Sequence, residues 1–221
     1  MYQRGETVDS EAISGILDEL EFPLYFYDYE TVASPMPIFE GTHPWQSVVV
    51  QYSLHVMRAD GSTSHFAAIV EPGASDNRRV VESFVRDIGE ADGTFVVWNK
   101  AFECTRNNET AELYPEFREI FEKVNSQTFD LMEIFRNLHY FHPDFHGSAS
   151  IKKVLPVLTK MSYDGLEVGN GGEATELLKK LVVGGIADDE VGKVVGDLLE
   201  YCKQDSWAMV EIWGVVRGRV G

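Results

Sequence analysis

The stretch Phe22-Pro23-Leu24-Tyr25-Phe26-Tyr27-Asp28-Tyr29-Glu30 constrains this chain more than any other. Its length and its density of aromatic side chains predict a strand buried at the centre of a sheet. The run then ends on acids. Side chains two apart in a strand share a face, so Asp28 and Glu30 would project together from the end of an apolar strand. Two close carboxylates repel unless a cation lies between them, and hard oxygen ligands suit Mg²⁺ or Mn²⁺. An exposed strand end with two solvated acids is the competing interpretation. The apolar lead-in favours a site, since the ends of central strands commonly carry one.

The pattern around this strand predicts one mixed α/β domain over residues 1–221,. Asp9–Glu21 reads as an amphipathic helix with Ile13, Ile16, Leu17 and Leu20 on one face. Val48–Met57 is a β-branched strand, Asp60-Gly61 a hairpin turn, and Ser62–Val70 the returning strand. A helix over Asn77–Ile88 and a strand over Thr94–Trp98 follow. Helices over Ala101–Leu113 and Glu116–Val124 are separated by Pro115. Gln127–Asp130 reads as a short fifth strand leading into a helix that ends at Arg136. Ser150–Leu158 is helical, with Ser148 or Ser150 as its cap. Gly165–Gly172 is a loop, Glu173–Val183 a helix, and Asp188–Val216 a long terminal helix with room for a break. Internal repeats and Pro- or Ser-rich linkers are absent.

A length of 221 residues suits one domain at about 150 residues per domain, and 44% hydrophobic with 12% aromatic residues supports a sizeable core,. Apolar runs fall short of the ~18 residues a membrane span requires, and Met1–Leu20 is polar and acidic rather than signal-like. Cys104 and Cys202 form neither a CxxC nor a zinc spacing, so the expected compartment is the reducing cytoplasm. Lys and Arg number 19 against 36 Asp and Glu, a net charge of −17. That disfavours a passive nucleic-acid coat protein. It does not disfavour an enzyme on nucleic acid, because carboxylate-held divalent ions reverse the local field. Most of the acids would form a solvated surface.

Two further motifs carry chemistry. In Tyr201-Cys202-Lys203-Gln204-Asp205, positions four apart share a helical face, so phenol and carboxylate can reach one point. A core tyrosine beside a surface aspartate fits the same spacing. Trp98-Asn99-Lys100-Ala101-Phe102-Glu103 follows the Thr94–Trp98 strand. Asn99 can cap the next helix and so present Glu103 in its first turn, where a carboxylate also complements the helix dipole.

Together these three motifs resemble the DEDD exonuclease superfamily, which has an RNase H-like fold. The order matches: D-x-E on the first strand, an acid after the fourth, and Y-x3-D on the terminal helix. The tyrosine marks the DEDDy subgroup, since the histidine form would need His where Glu200 stands. Glu103 departs from the superfamily's usual Asp. A narrower resemblance, covering nearly the whole chain, is to the bacterial domain of unknown function 2779. It is carried by Phe39-Glu40-Gly41-Thr42-His43-Pro44-Trp45-Gln46, Gln51-Tyr52-Ser53-Leu54-His55, Ser150-Ile151-Lys152-Lys153-Val154-Leu155-Pro156 and Gly171-Gly172-Glu173-Ala174.

The superfamily resemblance implies a mixed five-stranded sheet flanked by helices, with a helical C-terminal part. It implies that Asp28, Glu30, Glu103 and Asp205 hold two Mg²⁺ or Mn²⁺ ions, and that Tyr201 orients or helps deprotonate the attacking water. The implied reaction is 3′–5′ hydrolysis of terminal phosphodiesters in single-stranded DNA or RNA, or in short oligonucleotides. Thr31, Asn99, Phe102 and Lys152 become the substrate-binding residues, with Phe102 either stacking on a base or packing in the core. Fusion or association with another nuclease domain is a further expectation. The alternatives are a non-catalytic RNase H-like module within a larger nuclease or repair assembly, and an acidic partner-binding domain. Asp130 is either a structural acid or the second-motif acid in place of Glu103, the structural role being preferred. His139, His142 and His146 with Asp144 lack a zinc spacing and read as loop histidines. Arg78-Arg79, Lys152-Lys153 and Lys100 could meet phosphates or form solvated faces. Gly169–Gly172 lacks the Gly-Lys-Ser/Thr ending of a phosphate loop.

Overall fold

The aromatic run becomes the middle strand of the sheet. The computed structural model describes residues 5–163 and 165–220. A two-residue strand β1 (Thr7–Val8) and helix α1 (Ser10–Asp18) precede β2 (Leu24–Val32), which holds both acids. Asp9 caps α1 by accepting from the Ala12 amide at 3.1 Å,. β3 (Val48–Met57) and β4 (Thr63–Ile69) form an antiparallel hairpin. Its turn lies at Asp60-Gly61: Gly61 has φ +82°, and Asp60 Oδ1 accepts from the Ser62 amide at 2.9 Å,. Next come α2 (Arg78–Ile88), β5 (Thr94–Val97), α3 (Lys100–Leu113), α4 (Arg118–Ser126), β6 (Thr128–Asp130) and α5 (Glu133–Arg136). β7 (Tyr140–Phe141) pairs with β1, and α6 (Ile151–Leu158), α7 (Gly171–Val182) and α8 (Asp188–Val220) complete the order.

The sheet runs β4-β3-β2-β5-β6. β3 runs antiparallel to both of its neighbours, β2 and β4, whereas β5 lies parallel to β2 and β6 parallel to β5. This is the expected mixed five-stranded sheet flanked by helices. β5 can approach β2 because Gly93 precedes it at φ +134°, where an added Cβ would lie 2.1 Å from the Pro23 carbonyl oxygen,. Period-two alternation divides the core. Tyr25, Tyr27 and Tyr29 join an apolar cluster with α2, α4 and α7. Leu24 and Phe26 join a second with α1, α5, α6 and the latter half of α8. Each fully buried ring in these clusters contributes about 1.5–3 kcal/mol.

Three expectations needed adjustment. α1 stops at Asp18 rather than Glu21. Gly171 and Gly172 open α7 instead of ending a loop, because the Asn170 side chain accepts from the Gly172 and Glu173 amides at 3.0 and 3.1 Å. α8 is unbroken and reaches Val220. The β1–β7 ladder was not foreseen, since two residues carry no readable period. Among the described residues, no helix is long and apolar enough to cross a membrane.

Candidate functional site

β5 pairs with β2 only along Leu24–Phe26, so Asp28 and Glu30 extend beyond its register. The β2–β3 ladder continues past them, with Asp28 opposite Ser53, Glu30 opposite Gln51, and a register shift between Glu30 and Thr31. Such irregularities re-aim side chains beside sites. α8 lies against this end of the sheet. Gln51 Nε2 donates to the Leu198 carbonyl at 2.8 Å, and Ser53 Oγ is 2.7 Å from Ser206 Oγ. These two bonds bracket Tyr201–Asp205 and fix the helix where its acid meets those of β2.

The result is a three-acid cluster. One carboxylate oxygen each from Asp28, Glu30 and Asp205 lies within 4.8 Å of the others. Among the described residues no other group of His, Cys, Asp and Glu is so arranged. Asp205 Oδ1 accepts from the Tyr163 hydroxyl at 2.5 Å. Tyr201 is buried, and its oxygen accepts from Lys152 Nζ at 3.2 Å. The Lys152 ammonium also lies 5.1 Å from the Tyr163 ring centre and 5.5 Å from that of Tyr201,. Cys202 Sγ is 3.9 Å from Asp28 Oδ2.

Burial and mutual repulsion govern the charge state. Burial first, then the charges of Asp205, Glu103 and Glu30, lift Asp28 well above the usual carboxylate range. Burial and Asp205 raise Glu30 to about 8 against the pull of Lys152. Asp205 rises to about 6, mainly by burial, with the Tyr163 hydrogen bond and Lys152 opposing. Glu103 is raised by burial and by Glu30, and Arg106 opposes.

An acid whose pKa is higher in the folded chain holds its proton longer there. Its stabilising effect is complete below the unfolded value and is lost as pH rises through the folded one. Without divalent ions, the thermal midpoint should therefore decline from about pH 4.5 to 8, the interval between the ordinary and raised values for Glu30. Exposed acids are ionised by about pH 6, and His55 and His65, which burial holds neutral, add an opposite slope up to about pH 7,. The slope from about pH 7 to 8 therefore reports the cluster. Glu30→Gln should flatten it in melts run with EDTA; an unchanged slope would contradict the assignment.

Residues 25–150 match the family described as a domain of unknown function, DUF2779. The chain belongs to this family. The matched part of the DUF2779 domain includes Asp28, Glu30 and Glu103, and it ends before Tyr201 and Asp205. The chain is 28% identical over 206 residues to the uncharacterized protein MG366 of Mycoplasma genitalium, covering 85% of this chain and 31% of that protein. The MG366 homolog of Mycoplasma pneumoniae is 28% identical over 209 residues, with the same coverage of 85% and 31%. The uncharacterized protein UU173 of Ureaplasma parvum is 24% identical over 238 residues, covering 96% of this chain and 34% of its own length. The DUF2779 chain thus spans about a third of the length of these curated relatives. No solved structure matches it significantly.

The expected site residues of this DUF2779 domain do not all converge equally. Asp28, Glu30 and Asp205 meet, and Tyr201 and Lys152 adjoin them. Glu103 lies outside the three-acid group, yet its charge acts on Asp28 and it is 4% exposed. Its Oε2 is buried with no hydrogen-bond partner. Asn99 caps α3 by accepting from the Phe102 amide at 3.4 Å. The half-buried Phe102 ring joins neither apolar cluster and lies 5.0 Å from the Arg106 guanidinium. Thr31 sits just past the register shift, opposite Val49. Asp130, by contrast, is fully engaged. It accepts from the Lys100 and Met132 amides at 3.2 and 3.1 Å and from Arg136 at 3.3 Å.

Of the basic candidates, Arg78 pairs with Glu116 and Glu82 and Arg79 with Glu71. Lys100 Nζ donates to the Thr128 carbonyl at 2.5 Å. His142 accepts from the Asp144 amide, and His139 holds the Asp9 amide through its carbonyl.

Glu103→Gln should consequently lower any metal-dependent activity by about 10²-fold or more. Asp130→Asn should instead lower the thermal midpoint, at a cost of about 1–3 kcal/mol in weakened hydrogen bonds. Rates and melts on both variants separate these roles; a folded, inactive Asp130→Asn beside an active Glu103→Gln would exchange them.

Sequence reasoning missed Tyr163, which lies in no motif. It also missed Gln51, Ser53 and His55, though these carried a signal. They are polar side chains spaced two apart in a strand otherwise read as core, on the face that meets α8. His55 Nδ1 is 2.9 Å from Ser206 Oγ, which completes that seam.

Proposed function

We propose that this chain is a divalent-metal-dependent 3′–5′ exonuclease of the DEDDy type, acting on single-stranded DNA or RNA or on short oligonucleotides. The observation that carries this reading is the convergence of Asp28, Glu30 and Asp205 from the middle strand and the last helix. Tyr201 stands one helical turn before Asp205. An RNase H-like fold is supported by the strand order, with an antiparallel hairpin on one side of β2 and two parallel strands on the other.

The donor set suits Mg²⁺ or Mn²⁺. Its ligands are hard carboxylate oxygens, and Glu103 adds a buried oxygen that lacks a partner,. When bound, such ions would supply Lewis-acid charge to the attacking and leaving oxygens of a phosphodiester. Asp28, Glu30, Glu103 and Asp205 would hold them. Tyr163 fixes the orientation of Asp205 through its short hydrogen bond. Tyr201 accepts from Lys152, which leaves its own proton to donate to a water or a phosphate oxygen. Burial and the nearby acids hold this phenol above its ordinary range in the metal-free chain, so it is present there as a proton donor,. The Lys152 ammonium adds positive charge where a phosphate would lie.

One observation favours the non-catalytic alternative: Glu103 stands outside the three-acid group. A single experiment decides between them. With Mn²⁺ or Mg²⁺ the protein should release nucleoside monophosphates from a 3′ end, and EDTA should stop it. Oligonucleotide binding with no hydrolysis under any metal condition would select the alternative.

A further inference from the structure

The segment after β2 and the face of α7 enclose a groove of about 610 Å³. Met36, Ile38 and Trp45 form one wall; Glu176, Lys179, Lys180 and Val183 form the other. Both walls belong to elements that also reach the acids. Val32, two residues beyond Glu30 on β2, lines it. α7 starts at Gly171, where an added Cβ would lie 3.6 Å from the Tyr201 hydroxyl. Lys179 follows eight residues later on the same helix, about 12 Å along its axis.

The wall at Trp45 is exposed but not loose. Trp45 is 70% exposed and Met36 73%, whereas Trp98, Trp207 and Trp213 pack against the core. Trp45 has φ +63°, a left-handed conformation that a bulky residue keeps only where its surroundings fix it,. Here the Trp45 amide donates to the Ser34 carbonyl at 2.7 Å, and Gln46 closes the loop onto His43 through bonds of 3.2 and 3.0 Å. Across the groove, Lys179 reaches Glu176 at 2.9 Å, and the Lys180 ammonium also acts on that carboxylate. The lining thus sets two ammonium groups against one carboxylate, a small positive excess in the same groove as an exposed indole, in a chain of net charge −17. An aromatic face stacks any base, a flexible methionine adapts to its shape, and lysines meet the phosphates.

We infer that this groove holds a stretch of single-stranded nucleic acid leading to the acid cluster, with a base stacked on Trp45 and phosphates at Lys179 and Lys180. The inference rests on the nuclease reading of the acids and adds the path of the strand.

Binding and hydrolysis test it separately. A twelve-residue oligothymidylate is titrated into the protein, in EDTA and in Mg²⁺, with tryptophan emission and anisotropy as readouts. The wild type should be quenched. Trp45→Phe should lose that quenching while keeping most of the affinity. Trp45→Ala should bind about 5- to 150-fold more weakly, the scale of one base–aromatic stack. Lys179→Gln with Lys180→Gln should make the dependence of log K on log salt shallower by about 0.7 for each phosphate no longer neutralised. Hydrolysis of a dinucleotide, too short to reach the groove, should be unchanged in Trp45→Ala, while KM for the twelve-residue strand rises. Wild-type emission that is not quenched, or a Trp45→Ala protein that binds like the wild type, would overturn the inference and assign the groove to a different partner. If quenching and salt slope behave as expected but no metal supports hydrolysis, the groove stands and the exonuclease assignment falls.

Discussion

Asp28→Asn should abolish hydrolysis of a single-stranded oligonucleotide, by more than about 10³-fold, while making the metal-free protein more stable. The two effects have one origin. Asp28 is the member of the cluster on which Asp205, Glu103 and Glu30 all act. An amide of the same shape cannot supply the charge that divalent ions need, and loss of one charge-stabilising group costs on the order of 10²–10³-fold or more. The same amide removes a repelling charge from a site poor in water. Its N–H groups can donate to the remaining carboxylates, which have more acceptors than partners. With EDTA near pH 8, the thermal midpoint should rise by about 2–4 °C, what ~1 kcal/mol does in a domain of this size. Single-turnover rates beside melts check both. An Asp28→Asn protein that is folded and fully active would remove the cluster from the chemistry.

Tyr201→Phe should slow hydrolysis by ~10²–10⁴-fold with little change in stability or metal binding. The substitution keeps the ring in its buried place and deletes only the hydroxyl that Lys152 touches. Lys152 retains its position over the Tyr163 ring. The α8 backbone is held independently at Leu198 and Ser206, so Asp205 should not move. Calorimetry with Mn²⁺ should thus give the same affinity for both proteins while single-turnover rates diverge. Equal rates, with Asp205→Asn inactive, would make Tyr201 a core residue and end the DEDDy assignment.

The elements nearest the acids were the most legible in the sequence. β2 and β3 are dense enough in aromatic and β-branched residues for period two to show, and β3 has the predicted limits. The i,i+2 and i,i+4 rules then place Asp28 with Glu30 and Tyr201 with Asp205 on single faces. What period cannot supply is the crossing of elements far apart in the chain. The Tyr163–Asp205 bond joins an irregular segment to a helix 42 residues later, and the Gln51–Leu198 bond spans 147 residues. Glu103 shows the same limit. Its helix and first-turn position could be read locally, but its separation from the other three acids depends on how α3 leaves β5.

α8 carries a consequence for biosynthesis. It is a single helix of 33 residues, some 50 Å long, and it delivers both Tyr201 and Asp205,. Everything that receives them, from β2 and β3 to Tyr163, lies earlier in the chain. A ribosome therefore releases the sheet with two acids in place and the third still to come. Until α8 seats its seam at Gln51 and Ser53, the polypeptide holds only part of the cluster, so the three-acid centre is complete only once that helix has docked.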